Sequence, residues 1–271
     1  NTKKYFYSNY YKLRNKIVKT GDKCISNYNF VKLKNINIIK ELSNNHFQLH
    51  DNLRVFSHRN VIYTNNFGIG SFNLISKKYK QLFSRFDCTN FDIDTNMTNL
   101  SGVKISNFSS SLIFYSNLET KISNEGKVYE IDNIIGKTTI FNKSSKSILV
   151  SGNANYASII DIEKWRDVEK LLSKVWINHH YLNEKENKLG MSLDDGTVLI
   201  GSINDWNKSN NKIKTHDQYS LGIINMENNL WACGGVSPET ILIFDDRKTE
   251  VPLKSINSNY FCSSKFVLFY G

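Results

Sequence analysis

The chain has little of what would fix a simpler reading. Its 271 residues hold only two prolines, four cysteines and three methionines. No apolar run approaches the roughly 18 residues of a membrane-spanning helix. The longest, such as Phe266–Tyr270, are the size of a strand. No signal peptide is visible, although the chain opens on Asn1 rather than Met, which leaves room for a leader outside it. The cysteines, Cys24, Cys88, Cys233 and Cys262, form no CxxC pair. That excludes a zinc knuckle or a disulfide framework and predicts reduced, buried thiols inside the cell, in cytoplasm or nucleus. Amphipathic helical pattern is also scarce. Its best stretch is Ile162–Val175, "IEKWRDVEKLLSKV", expected as a short helix or irregular segment at a rim.

What is present is charge and strand pattern. Net charge is +10, with 40% apolar and 22% charged residues, as in a soluble globular protein. A basic chain points to acidic partners such as RNA or an acidic protein surface. A bias toward Asn, Lys, Ile, Tyr and Phe gives the competing explanation, because A/T-rich codons favour those residues. The lysines are scattered, with no run longer than two and no arginine-rich arm.

Short apolar runs alternate with Asn, Ser, Gly and Asp clusters, which predicts an all-β protein. One segment recurs: a turn, then a strand ending in an apolar or aromatic residue and a polar one. The endings are Tyr28-Asn29, Phe72-Asn73, Tyr115-Ser116, Ile160-Asp161, Gly201-Ser202 and Phe244-Asp245. Neighbouring endings are 41–45 residues apart. That period is the length of a four-stranded propeller blade.

Thr215–Lys248, "THDQYSLGIINMENNLWACGGVSPETILIFDDRK", resembles a repeat of the WD-repeat β-propellers. His216 stands at the family's Gly-His position, "LWACGG" at its second strand, and Phe244-Asp245 with Arg247 at its Trp-Asp-x-Arg ending. His50 opens a second, similar copy. The resemblance covers roughly residues 10–256 and implies that His50 and His216 orient turns; the whole chain, residues 1–271, is expected to form one propeller domain. Seven blades are expected. The last would be composite, made from Lys3–Ser8 and Ser255–Gly271 so that no sheet edge stays open. A six-bladed open propeller is the runner-up.

Candidate chemistry is thin. Asp194-Asp195-Gly196 lies between apolar strands and reads as a hairpin of type I′ rather than a metal site, since no EF-hand spacing surrounds it. His179 and His180 are adjacent in a strand and point to opposite faces, so a structural or surface role is expected. "FGIGSF" (Phe67–Phe72) lacks the helix that a phosphate-binding loop needs. No catalytic, cofactor or metal set assembles. Arg59, Trp165, Trp176, Tyr181, Trp206 and Arg247 are the candidate partner contacts, because Trp, Tyr and Arg dominate binding hot spots. The expected function is a non-catalytic scaffold within a multiprotein complex. RNA or ribonucleoprotein binding through a basic rim is the alternative, and a hydrolase at the channel mouth is the least favoured.

Overall fold

The computed structural model describes residues 53–257, apart from 58, 66–67, 85–87, 89, 95–97, 107–108, 117–126, 142–145, 228, 237–239 and 249–250. Within them lie five four-stranded antiparallel sheets, each ordered as its strands follow in sequence. The first contains β1 (Leu53–Ser57), β2 (Asn60–Asn65), β3 (Gly68–Asn73) and β4 (Tyr79–Ser84). The second contains β5 (Asn90–Ile93), β6 (Asn99–Ser106), β7 (Ser109–Ser116) and β8 (Lys127–Ile131). The third holds β9 (Ile135–Phe141), β10 (Ser147–Gly152), β11 (Tyr156–Asp161) and β12 (Arg166–Leu172). The fourth holds β13 (Ile177–Asn183), β14 (Lys188–Leu193), β15 (Thr197–Ser202) and β16 (Asn211–Lys214). The fifth holds β17 (Ser220–Glu227), β18 (Leu230–Gly235), β19 (Thr240–Asp245) and β20 (Lys254–Asn257).

Each recurring dipeptide within the described residues closes the third strand of its sheet: β3, β7, β11, β15 and β19. The sheets are therefore blades. The cores confirm how they stack, because each lies between two consecutive blades rather than inside one. Ile62 and Ile69 of the first blade pack with Phe91 and Leu100 of the second. Val103 and Leu112 pack with Ile148 and Ile160. Leu149 and Leu171 pack with Leu189 and Met191, and Val198 and Ile200 with Ile223 and Trp231. A single blade cannot bury both faces of its sheet, so stacking supplies the cores. The fold is an all-β propeller.

Three expectations change. The described residues hold five blades, not seven or six; the copy ending at Tyr28-Asn29, His50 and the strand expected at Lys3–Ser8 lie outside them. Ser255–Asn257 does not begin a new blade but belongs to β20, the outer strand of the fifth. Ile162–Val175 is not helical. It forms the turn after β11, then β12 as the outermost strand, then the link to the next blade. Most of β12 faces water on both sides, so its sequence lacks the alternation that marks a half-buried strand.

Gly190 shows how tightly the blades meet. A Cβ there would come within 2.4 Å of the Trp231 ring and 2.9 Å of Ile223 in the next blade. Trp231 is fully buried, stands edge-on to Tyr181 at 6.4 Å, and donates its indole N–H to Asp246 Oδ2 at 3.1 Å. The same carboxylate accepts from Lys188 Nζ at 2.7 Å. Gly201, which stands where other copies carry a larger apolar residue, is packed against the loop after β15, where a Cβ would lie 3.0 Å from Ser209 O.

Candidate protein-interaction surface

Antiparallel blades put their loops at two ends. The turn between second and third strands and the link to the next blade share one end. The other two turns share the opposite end. At the first end, three segments of the fourth and fifth blades come together. The Asp194 N–H donates to Trp176 O at 3.0 Å. Thr215 and His216 both donate their N–H groups to Gly196 O, at 3.0 and 2.9 Å. Asn178 Nδ2 donates to Ser220 O at 3.0 Å and more weakly to Asp194 Oδ1 at 3.4 Å. The link carrying Trp176, the turn Asp194–Gly196 and the link 215–219 form one corner.

The turn is not type I′. Three residues separate β14 from β15, and only Gly196 has positive φ (+74°), so Asp194 and Asp195 keep ordinary backbone. This is the three-residue hairpin with glycine in the left-handed position. Asp195 is part of its structure. Its carboxylate accepts from the Thr197 N–H at 3.1 Å and from the Thr197 hydroxyl, and it pairs with Lys212 at 3.2 Å. Partial burial opposes its charge, but those bonds outweigh burial and hold the carboxyl below its ordinary pKa.

His216 anchors the next link, as the family resemblance implied. It is buried, and its Nε2–H donates to Thr240 O at 3.1 Å. Nδ1 has no hydrogen-bond partner among the described residues. Burial is the largest influence on the ring and pushes its pKa below the usual value, so the neutral form is favoured. Cys233 lies in the same region, its Sγ 2.8 Å from Ser220 Oγ, and burial pushes its thiol up to about 11. Cys88 and Cys233, the cysteines among the described residues, are both buried.

On this corner Trp176 is 52% exposed and Tyr219 is 44% exposed. Asp194 and Asp195 lie in the turn and Asp217 in the link, and the corner also holds lysines: Lys212 pairs with Asp195 at 3.2 Å and Lys214 Nζ donates to Asp195 O at 2.7 Å. Trp176 therefore does not pack between blades. Tyr219 was not among the sequence candidates. Its signal was the short link "HDQYS" between an anchoring histidine and an inner strand, a place where only a loop side chain can point outward.

The other candidates do not join this corner. Arg59 is exposed in the β1–β2 turn at the opposite end. Arg247 is exposed at that same end and grips Asp245 through two bonds, at 2.9 and 2.6 Å. Those bonds hold the Asp245 carboxyl well below its ordinary range. Trp165 is half-buried. It donates its indole N–H to Val128 O at 2.7 Å and packs against Tyr129. Tyr181 is half-buried against Trp231. Trp206 is fully buried and donates to Leu172 O at 2.9 Å, so it has no surface to offer a partner. Its role is to fill the core between the third and fourth blades.

His179 and His180 are both buried. The Ser151 hydroxyl lies 2.6 Å from His180 Nδ1, and Thr139 Oγ1 lies 2.9 Å from His180 Nε2. His179 Nε2 lies 2.9 Å from Lys137 Nζ, and Nδ1 accepts from the Ile223 N–H at 3.4 Å. The histidines are structural, and a surface role is ruled out by their burial. No group of three or more metal-ligating side chains occurs among the described residues. Inner strands are bonded to their neighbours in a recurring way. Asn90 accepts from the Thr138 N–H at 3.0 Å, and Asp92 from the Ile140 N–H at 2.8 Å. These side chains cap the inner edges of the next blade, where an added strand would otherwise pair. Asn207 does the same outside, bonding Lys170 O and the Leu172 N–H of β12.

The two ends differ in charge. The described loops at the end that carries Trp176 and Tyr219 hold Asp132, Asp194, Asp195 and Asp217 against Lys174, with Lys214 closing β16 beside them. At the opposite end Arg59, Lys77, Lys78, Lys146, Lys164, Lys185, Lys208, Arg247 and Lys248 exceed the carboxylates. No helix among the described residues is long and apolar enough to cross a membrane.

No family model matches the chain, and no curated protein matches it. Solved structures do. A chain of a structure titled "Crystal Structure of Mitotic Checkpoint Complex" superposes with a TM-score of 0.63 at 10% identity. The match covers 84% of this chain and 73% of that one. As many as 1228 chains of solved structures match, so the fold is common and does not by itself select a function.

Proposed function

We propose that this protein is a non-catalytic scaffold that binds another protein through the corner built from Trp176, the Asp194–Gly196 turn and the link 215–219. Two large exposed side chains, held on a hydrogen-bonded frame that also carries Asp194, Asp195 and Asp217, support the reading. Trp and Tyr give large contact area for little lost side-chain freedom, and both anchor binding hot spots. The exposed Asp217 beside Tyr219 in the link favours a partner segment that joins an apolar side chain to Lys or Arg. Polar side chains of the inner strands are engaged with the neighbouring blade, which leaves little for catalysis in the channel.

The full reading is a WD-repeat-type propeller of seven blades over residues 1–271, closed by N- and C-terminal segments in one blade. Its place is inside the cell, as a subunit of a multiprotein complex. The solved neighbour, itself part of a complex, is consistent with that role. Arg59 and Arg247 are exposed and belong to a second, basic contact end; Trp165 and Tyr181 contribute through their exposed edges.

Affinity purification of the tagged chain from its native cells is the test. A stable partner should co-purify with the wild type. Trp176→Ala with Tyr219→Ala should weaken capture by about thirtyfold or more, the equivalent of ~2 kcal/mol. Recovery of no stable partner, or equal recovery by the double variant, would count against the reading.

A further inference from the structure

Three successive blades present one residue at an equivalent place, immediately before the inner strand. It is Ile134 before β9, Trp176 before β13 and Tyr219 before β17. Each is pinned alike, because its carbonyl accepts from the N–H that follows the second strand of its own blade. The donors are Asn153 at 2.9 Å, Asp194 at 3.0 Å and Val236 at 2.8 Å. The corner of Trp176 and Tyr219 uses only the fourth and fifth blades. Ile134 stands at the same place in the third, half-buried rather than protruding.

Beside Ile134 the surface is hollow. A dimple of about 20 Å³ lies between the link 131–135 and the turn from β10 to β11, walled by Ile131, Ile134, Val150, Ala154 and Tyr156. That is room for a group the size of a methyl or one water. Water is poorly served there, because the walls are mostly apolar and the Asn133 amide is spent on the Tyr156 hydroxyl at 3.2 Å. The dimple joins the corner directly. Ala154 O accepts from the N–H of Ile177, the residue after Trp176, at 3.1 Å, and Asn155 O accepts from the Ser173 N–H at 2.8 Å. Asp132, between two residues of the dimple wall, is exposed, as is Asp217 in the fifth blade's link. Neither carboxylate forms an ion pair among the described residues, whereas Asp195 is taken by Lys212.

We infer that the dimple is the third anchor point of the docking surface, and that it takes the tip of a small apolar side chain from one partner segment that crosses three blades. The inference rests on the protein-interaction reading proposed above and adds a contact that reading does not need. Two protruding aromatic side chains and one hollow, held on a single hydrogen-bonded frame, fix the register of what lies on them. Stacked sheets stand about 10 Å apart, so the track from Ile134 to Tyr219 is roughly 20 Å, six or more residues of extended chain. Unpaired carboxylates at both ends of the track favour Lys or Arg in that segment, one of them next to the apolar residue that enters the dimple. The same carboxylates repel a phosphate backbone, which leaves a polypeptide as the occupant.

The test uses the partner recovered with the wild-type chain, purified and measured against the full chain by biolayer interferometry. Ala154→Leu fills the dimple and should weaken binding about tenfold or more. Asp132→Lys should slow association, more so at low salt than at high. Val168→Ala, on the exposed outer strand β12, should bind as wild type does. Melting curves check that each variant folds, and Asp132→Lys, at an exposed position, carries the test if Ala154→Leu melts lower. A benzophenone side chain placed at exposed Asn155 or at exposed Gln218 should crosslink to one continuous stretch of the same partner, with an apolar residue beside Lys or Arg at the Asn155 end. Loss of binding in Trp176→Ala/Tyr219→Ala, with wild-type binding by Ala154→Leu and Asp132→Lys, overturns the inference and leaves the scaffold reading standing. Crosslinks from the two positions to different proteins, or to distant parts of one, do the same. Recovery of no partner by the wild type overturns both.

Discussion

Replacing Gly196 with valine should unfold the corner on which the scaffold reading rests. Gly196 has φ +74°, and a Cβ there would stand 2.1 Å from His216 O and 2.8 Å from Gln218 O. Both obstacles are backbone carbonyls, which cannot rotate aside as a side chain could. The left-handed conformation costs a non-glycine residue about 1–2 kcal/mol, and overpacking adds about 1–3 kcal/mol. For a chain of this size each kcal/mol moves the melting temperature by about 2–4 °C. Gly196→Val should therefore lower it by about 5–15 °C in thermal denaturation followed by circular dichroism. Gly196→Asn separates the two causes, because Asn tolerates the left-handed region yet keeps the clash. Its loss should fall between wild type and Val. Asp194→Ala removes only one long bond from Asn178, which retains Ser220 O, and should cost about 1 kcal/mol or less. If Gly196→Val melts within a degree or two of wild type, the close contact with the 215–219 link is wrong.

His216 supplies a pH dependence. Its folded pKa lies below the ordinary 6.5, so the unfolded chain binds the extra proton first. Its contribution is fully present above about 6.5 and is lost as pH falls through the lowered folded value. Wild type should thus destabilise more steeply than His216→Asn on acidification below that point, as read by urea midpoints. Trp206→Ala should cost about 3–5 kcal/mol in unfolding measurements, because a fully buried indole leaves a cavity and a lost bond to Leu172 O. Cys233, with its thiol raised to about 11, should resist iodoacetamide in the native protein at pH 8 and react once urea unfolds it, as read by peptide mass spectrometry.

The period was the legible part of the fold. Third strands are buried between blades, so their apolar runs repeat, and all five described endings fall where strands close. Outer strands are legible only poorly. β12 faces water, so the charges of "RDVEK" looked helical beside Leu171 and Leu172. The hairpin at Asp195-Gly196 was readable as a turn, but its type depends on how many residues separate the paired strands, which register decides and a dipeptide does not. Trp176 was a candidate because its residue type is a frequent anchor, and the fold leaves it exposed. The same logic misled at Trp206, since residue type alone does not distinguish an indole on the surface from one in a core. Tyr219 gained meaning only when folding left it exposed on the link 215–219 of the corner that carries Trp176.

Hydrogen exchange of the chain alone and within its purified complex tests the central claim most directly. The account predicts new protection in 173–176, 194–196 and 215–219, with the second and third strands of the blades already protected and unchanged. Partner-induced protection confined to other segments, with those three loops exchanging as in the free chain, would contradict it.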